Sequence, residues 1–194
     1  MSEPQIVPVL ESEQQRALDT LVLAFAADPV ERWLYPEAHR YLRHFPAFLA
    51  AFGGKAFAQQ TVWRLGEFAG VALWLPPRFD LDGDAIAAVL AETVAPEQHE
   101  DTFAVLAQMD DAHPSFPCWY LPWFGVDPAV QGRGLGGRLM QHCLRLVDED
   151  HLPAYLDSPN PRNVSFYERH GFVVTGTAQA GSCPQIVSML RAAR

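Results

Sequence analysis

A glycine-rich segment in the second half of the chain carries the residue types of an anion site. It consists of Gln131, Gly132, Arg133, Gly134, Leu135, Gly136 and Gly137. Glycines allow the backbone to approach a bound group closely, and the amphipathic pattern of residues 137–150 predicts a helix directly after them. The first N–H groups of such a helix and the positive end of its dipole favour a negative group. The segment therefore predicts a pyrophosphate-binding loop built from main-chain atoms.

Two kinds of cofactor fit a glycine loop of this type. Gly132, Gly134 and Gly137 satisfy the GxGxxG pattern of dinucleotide-binding proteins, and Asp157 follows about 20 residues later, where an acidic residue would bind a ribose. That fingerprint needs its glycines at the tip of a tight turn between a strand and a helix. Here residues 127–131 separate the loop from the preceding strand, and little sequence remains after it for further parallel strands. An NAD-dependent oxidoreductase is therefore the weaker interpretation.

Two motifs together resemble those of the GNAT acetyltransferase superfamily. The first has the form R/Q-x-x-G-x-G/A and is filled by Gln131, Gly134 and Gly136. The second has the form N-x-x-x-Y-x-x-x-G-F and is filled by Asn163, Tyr167, Gly171 and Phe172. The resemblance implies an α/β fold, in which helices flank a mixed, mostly antiparallel, twisted sheet with a V-shaped split between its central strands. It also implies that the co-substrate is acetyl-CoA.

The resemblance assigns binding roles on both sides of the loop. Main-chain groups of Phe124, Gly125 and Val126 would pair with the pantetheine arm of acetyl-CoA, and the amides of residues 131–137 would hold the pyrophosphate. Asn160 and Asn163 would hold the amide arm of the cofactor. Asn163 is equally suited to cap the helix that follows it, so its contact with the cofactor stays open.

Three residues are candidates for the chemistry of acetyl transfer. Amide formation needs a neutral amine as the nucleophile and a proton for the leaving thiolate. Tyr167 corresponds by motif position to the proton donor of the family, and its phenol is protonated at neutral pH. Asp157, at the end of a predicted strand, and His113, whose ordinary pKa lies near neutrality, are both candidates for the general base. No motif supports either of them, so this choice stays open.

Hydrophobic periodicity predicts the elements that position these residues. Helices are predicted over residues 11–27, from Pro36 to Gly53, over 84–109 with a break at Ala95 and Pro96, and over 137–150 and 163–170. Strands are predicted over residues 61–65, 69–75, 118–126, 154–157, 172–178 and 185–190. Asp28 and Pro29 are interpreted as the end of the first helix. We expect residues 1–194 to form a single domain with a helical, acidic insertion at about residues 80–112 on the substrate side.

Composition and charge narrow the classes of partner. A formal net charge of −9 disfavours nucleic acid, which is bound through Lys and Arg. Residues 79–132 contain no Lys or Arg, so they form either a solvated acidic face or a negative field that attracts a cationic acceptor. The spacing of Cys118, Cys143 and Cys183 and of the seven histidines predicts no metal site. The absence of a long apolar stretch predicts a cytoplasmic protein with no membrane partner.

These observations predict an N-acetyltransferase that transfers the acetyl group of acetyl-CoA directly to an amine of a small cationic or aromatic molecule. An aromatic surface for a bulky amine would come from Trp33, Tyr35, Trp74, Phe79, Phe116, Trp119 and Trp123. The alternative is a non-catalytic sensor or interaction module that binds acyl-CoA, against which the presence of Tyr167 argues. The expected partner is the small-molecule amine, and a homodimer is left open as the assembly.

Overall fold

The computed structural model describes residues 4–77 and 81–194. Phe79, a member of the predicted aromatic surface, and Asp80, the first residue of the predicted acidic insertion, lie outside the described residues. Within the described residues, no helix combines the length and the apolar character that crossing a membrane requires.

One mixed sheet forms the middle of the fold. Its strands are β1 (Ile6–Pro8), β2 (Val62–Leu65), β3 (Gly70–Leu75), β4 (Trp119–Val126), β5 (Ala154–Ser158), β6 (Val173–Ala178) and β7 (Ile186–Arg191). They lie in the order β1-β2-β3-β4-β5-β7-β6, and every neighbouring pair is antiparallel except β4 with β5. The predicted mostly antiparallel sheet is confirmed. The strand β1 was not predicted, because three residues are too short to show an alternating pattern.

Helices cover both faces of this sheet. They are α1 (Gln14–Ala24), α2 (Pro29–Leu34), α3 (Ala38–Gly53), α4 (Gly83–Thr93), α5 (His99–Ala112), α6 (Leu135–Asp148) and α7 (Val164–Glu168). The helices α1 and α3 pack on the face that we call the front, and α6 and α7 pack on the opposite face, the back. The predicted inward residues of α6 are all buried, namely Leu139, Met140, Cys143, Leu144 and Val147.

The helix α2 corrects the interpretation of Asp28 and Pro29 as a helix stop. The Asp28 carboxylate accepts hydrogen bonds from the backbone N–H of Val30 at 3.0 Å and of Glu31 at 3.4 Å, and Pro29 occupies the first helical position. An acidic N-cap followed by proline is a helix start, because both residues suit the unpaired N–H groups of a first turn. The first helix therefore ends at Ala24 and a second one begins five residues later.

The two central strands pair only at their beginnings. Trp119 lies opposite Ala154 and Tyr120 lies opposite Tyr155, and no further pairs join β4 to β5 within the described residues. Beyond these pairs, β4 follows β3 and β5 follows β7. Where they part, a bulge in β4 places two residues, Leu121 and Pro122, between positions that lie only two apart on β3. This opening is the predicted V-shaped split.

Candidate active site

The glycine loop leads directly into the first turn of α6. Gly132 and Gly134 have φ values of +75° and +76°, in the left-handed region that glycine tolerates. A Cβ atom at either position would meet nothing within 4 Å, so the space over the loop is open. The first turn of α6 has no capping side chain and no acidic residue. Its unpaired N–H groups and dipole are thus available to a pyrophosphate.

Side chains around the loop hold its shape. Gln131 Nε2 donates a hydrogen bond to the carbonyl of Val126 at 2.9 Å, and Asp127 Oδ1 accepts one from the N–H of Ala129 at 2.8 Å. Both contacts close the loop onto the end of β4. The side chain of Arg133 is exposed. The loop therefore presents main-chain groups to a ligand, with the Gln131 side chain supporting it from behind.

The end of β4 borders the split. Its residues up to Val126 pair with β3 on one side, while the edge towards β5 is unpaired within the described residues. The Phe124 ring packs on Phe166 of α7, with centroids 5.6 Å apart. Gly125 lies under α1, since a Cβ there would come within 2.6 Å of the Ala24 Cβ. The free edge suits pairing with an extended chain that contains amides, such as pantetheine.

Gly134→Ala is expected to weaken acetyl-CoA binding about tenfold while leaving kcat at saturation nearly unchanged. An L-residue in the left-handed region costs roughly 1–2 kcal/mol, and because the space around the new Cβ is open, the change acts on the loop conformation and not by steric clash. Calorimetric titration with acetyl-CoA measures the effect. Gly176→Ala is the matched control, since Gly176 also has open space around it but lacks a positive φ. Unchanged affinity in Gly134→Ala would place the pyrophosphate elsewhere.

Tyr167 lies on the back face, in α7. It is buried, and its ring packs on Phe166 and Phe172 with centroids 5.2 and 5.9 Å away. Burial raises the pKa of the phenol, and the Asp28 carboxylate raises it further. The phenol is therefore protonated throughout the physiological range and can donate.

Asp157 lies on the front face, near the end of β5. Its Oδ1 accepts hydrogen bonds from the Ser188 hydroxyl at 2.7 Å and the Tyr155 hydroxyl at 2.9 Å, and Oδ2 accepts one from the Tyr120 hydroxyl at 3.4 Å. Burial raises the pKa of Asp157 to about 6, although the three hydrogen bonds lower it. A carboxylate with such a pKa is ionised at neutral pH and is a stronger base than an exposed one.

His113 follows α5 and shares these tyrosine partners. Its ring lies edge-on to Tyr120 at 5.1 Å and to Tyr155 at 4.9 Å between centroids. Burial lowers the pKa of His113, so the ring is neutral at neutral pH and can accept a proton. The structure thus brings both predicted base candidates, which are far apart in sequence, to the same pair of tyrosines.

The two asparagines lie in the turn after β5. Asn160 Oδ1 accepts a hydrogen bond from the N–H of Arg162 at 3.1 Å, which caps a short 3-10 turn. Asn163 has helical backbone angles and no capping hydrogen bond from its side chain. Asn163 thus occupies the position before the first residue of α7, but its side chain makes no capping hydrogen bond there. The Asn163 side chain is exposed to solvent.

Two neighbouring cavities adjoin Asp157. The larger is a cleft of about 780 Å³, whose walls include α4, α5 and the segment containing His113, Phe116 and Cys118. The smaller is a pocket of about 60 Å³ that extends towards α2. Five residues line both cavities: Phe52, Leu106, Met109, Tyr120 and Asp157. The Asp157 carboxylate therefore lies where the two cavities meet.

The predicted aromatic surface is only partly assembled at these cavities. Trp33 and Trp123 line the pocket and Phe116 lines the cleft. Tyr35 and Trp74 are fully buried, and the Trp119 indole donates to Asp150 at 2.9 Å. No group of three His, Cys, Asp or Glu side chains that could hold a metal ion occurs among the described residues.

Four site residues were not identified from the sequence. Tyr120, Tyr155 and Ser188 surround Asp157, and Glu31 lines the smaller pocket. The tyrosines and the serine depend on strand pairing across long sequence separations. Glu31 did have a local signal, because Asp28 and Pro29 start a helix in which Glu31 lies beside the apolar residues of the buried face.

The sheet split, the anion-binding helix start and a buried tyrosine beside them define a transferase that uses an acyl-CoA donor. Comparison with known proteins specifies the class further: residues 23–172 match the model of the Acetyltransferase (GNAT) family. The chain belongs to this family and is an acetyl-CoA-dependent N-acyltransferase. The mostly antiparallel sheet also rules out the parallel dinucleotide-binding fold considered above.

Individual relatives agree with this assignment. An uncharacterized N-acetyltransferase from Schizosaccharomyces pombe is 26% identical over 181 aligned residues, which cover 83% of this chain and 71% of that protein. A Corynebacterium glutamicum structure described as histone acetyltransferase HPA2 and related acetyltransferase has a TM-score of 0.70 at 22% identity, covering 100% and 98% of the two chains. Arylalkylamine N-acetyltransferase 2 from Aedes aegypti has a TM-score of 0.70 at 13% identity, with full coverage of both chains. The two structures show the fold alone.

Proposed function

We propose that this enzyme acetylates the primary amine of a small, positively charged molecule with an apolar body. The observation that carries the proposal is the position of Asp157, a half-buried carboxylate that lines both of two cavities formed mainly by apolar and aromatic side chains. Such a site attracts an ammonium group and removes the rest of the molecule from water. The mosquito relative is named for arylalkylamines, but its likeness extends to the fold alone, so the acceptor is argued from the cavities.

The donor would be held chiefly by main-chain groups. Phe124, Gly125 and Val126 offer the free edge of β4 to the pantetheine arm, and residues 131–137 offer N–H groups to the pyrophosphate. Asn160 and Asn163 lie in the turn beyond β5, on the opposite side of the split. When bound there, acetyl-CoA supplies an acetyl group activated as a thioester.

The protein groups would move two protons. An acceptor that binds as an ammonium ion first loses one proton to solvent and becomes the neutral nucleophile. Asp157 Oδ2 then accepts a proton from the amine nitrogen as the new N–C bond forms, and the Tyr167 hydroxyl donates a proton to the sulfur as the C–S bond breaks. The products are an amide and a free thiol, and solvent returns the proton from Asp157 to Tyr167. Burial raises the pKa of Tyr167 above that of an exposed phenol, so its proton is held until negative charge develops on the sulfur. His113 is the second candidate for the base.

Only some residues of the acidic segment contribute negative charge to the cavities. Asp110 lines the cleft, together with Asp157. Others in the acidic segment have structural partners: Asp82 pairs with Lys55 at 3.3 Å, and Asp101 accepts from the N–H of Ser182 at 3.3 Å. The helices α4 and α5 nevertheless form a wall of the cleft, which supports their proposed role as a substrate-side insertion.

Binding and turnover measurements together test the proposed function. Calorimetry should detect acetyl-CoA binding and no comparable binding of NAD. A screen that follows CoA release should find turnover with amines that combine a positive charge and an apolar body, and less with neutral polar amines. Acetyl-CoA binding without turnover for any amine would instead support the acyl-CoA sensor. Indifference to the charge of the acceptor would remove the electrostatic role given to Asp157 and Asp110.

A further inference from the structure

Three buried polar atoms without a partner surround the smaller pocket. Glu31 Oε2, Thr102 Oγ1 and Trp123 Nε1 have no hydrogen bond within the described part of the chain, and all three residues line this pocket. A buried polar atom left unpaired costs roughly 1–3 kcal/mol, so such atoms are rare and seldom occur together. Two of them, Glu31 Oε2 and Thr102 Oγ1, can accept hydrogen bonds, and their position at one cavity indicates a ligand that donates hydrogen bonds to them.

Of these three residues, Glu31 gives the strongest evidence for a ligand. Its side chain is only 3% exposed, and burial raises the pKa of its carboxyl well above the ordinary value, with further repulsion from the Asp28 carboxylate. No Lys, Arg or His lines the pocket among residues 4–77 and 81–194. The protein therefore provides no positive charge to pair with Glu31, and a bound cation would provide one.

The same pocket contains a second carboxylate, that of Asp157. Between the two acids its lining is apolar, with Phe48, Leu106 and Met109 among the side chains. An alkyl chain suits this lining, and a charged group at each end of the chain suits the two acids. Trp33 and Trp123 add aromatic surface that can attract a cation.

We propose that the acceptor is a linear diamine, with its reacting amine at Asp157 and its distal ammonium group bound by Glu31. This inference rests on the proposed function and specifies its substrate class. Thr102 Oγ1 accepts a hydrogen bond from the distal ammonium group. Glu31 contributes to binding and orientation and takes no proton from the reacting nitrogen, so it is a specificity residue for acceptors with two charges.

Matched pairs of amines test this assignment. CoA release is measured with linear diamines of three to six carbon atoms and with the monoamines of the same lengths, for the wild type, Glu31→Gln and Glu92→Gln. The wild type is expected to show kcat/KM about 10- to 100-fold higher for the best diamine than for the matching monoamine, as for a hydrogen bond to a charged group. Glu31→Gln should reduce this ratio to near one, chiefly by lowering kcat/KM for the diamine. Glu92→Gln, which changes an exposed glutamate outside both cavities, should keep the ratio.

The outcomes separate this inference from the proposed function. Equal acetylation of diamines and monoamines by the wild type would overturn the role of Glu31 while leaving N-acetyl transfer intact, and this result needs no variant. A preference for diamines over monoamines that persists in Glu31→Gln would also overturn the role of Glu31. No acetylation in either series would overturn the inference alone if other charged amines in the screen are acetylated, and would overturn the proposed function as well if none of them is. Glu31→Gln is expected to melt no lower than the wild type, because it removes an unpaired buried carboxyl.

Discussion

Asp157→Asn is expected to lower kcat/KM for the acceptor about 100- to 1,000-fold, in the range of a lost general base. Asparagine preserves the size of the side chain, and its amide oxygen can still accept the hydrogen bonds of Ser188 and Tyr155. The fold should therefore persist, with a melting temperature and an acetyl-CoA affinity close to those of the wild type. Steady-state kinetics with the acceptor found in the amine screen measure the loss, and thermal melting and calorimetry check the rest.

The pH profile identifies which residue acts as the base. Asp157 must be ionised to accept a proton, so kcat/KM of the wild type should rise as the pH increases through about 6. Burial lowers the pKa of His113, and loss of its proton would also raise kcat/KM as the pH increases, so the profile of the wild type does not by itself distinguish the two groups. The rise should disappear in Asp157→Asn and persist in His113→Gln. The opposite pattern would assign the base to His113.

A second comparison separates the loss of proton transfer in Asp157→Asn from the effect of changing the net charge. Asp111→Asn removes an exposed carboxylate of α5 that lines neither cavity, and therefore changes the net charge by the same amount as Asp157→Asn. It should retain kcat/KM within about twofold, as expected for a screened surface charge. A large loss in this control would mean that overall charge, rather than proton transfer at Asp157, governs the rate.

Local sequence patterns were sufficient to predict the donor side of the site, which would bind acetyl-CoA. The glycine loop and α6 are contiguous, and their chemistry depends on backbone conformation and on unpaired N–H groups at a helix start. One boundary moved: α6 begins at Leu135, whereas the pattern predicted Gly137, so the last loop residues form the first helical turn. Leu135 and Gly136 were therefore predicted as loop residues and instead offer the N–H groups of a helix.

The acceptor side could not be predicted in the same way, since it depends on contacts between distant segments. Asp157 was selected for its place at a strand end, but its hydrogen bonds come from β4 and β7 as well as β5. The approach of His113 to Tyr120 and Tyr155 likewise depends on the pairing of the strands. Periodicity identifies which residues share a face of one strand, but it does not give the register between strands. Glu31 differs, because the helix start that places it is visible in the sequence.

The donor side and the acceptor side of the site both border the split between β4 and β5, and the split explains how Tyr167 could take part in the reaction. Asp157 faces the front of the sheet with Tyr155, and Tyr167 packs with α6 at the back. If β4 and β5 were paired along their whole length, the sheet would separate these two residues. Since pairing stops after Tyr120 and Tyr155, the split would allow the proposed base Asp157 and the proposed acid Tyr167 to act on the same reacting atoms from opposite faces.

Tyr167→Phe is accordingly expected to lower kcat about 100-fold with little change in acetyl-CoA affinity, because the thiolate then has to leave without its proton donor. Phenylalanine preserves the packing on Phe166 and Phe172, so the melting temperature should change little. Tyr41→Phe is the matched control: it removes a buried hydroxyl that donates to the carbonyl of Val22 at 2.6 Å, and should cost about 1 kcal/mol of stability while retaining kcat. Single-turnover acetyl transfer, which isolates the chemical step, together with thermal melting, distinguishes the two effects. An unchanged single-turnover rate in Tyr167→Phe would exclude Tyr167 as the acid and leave solvent at the split to protonate the thiolate.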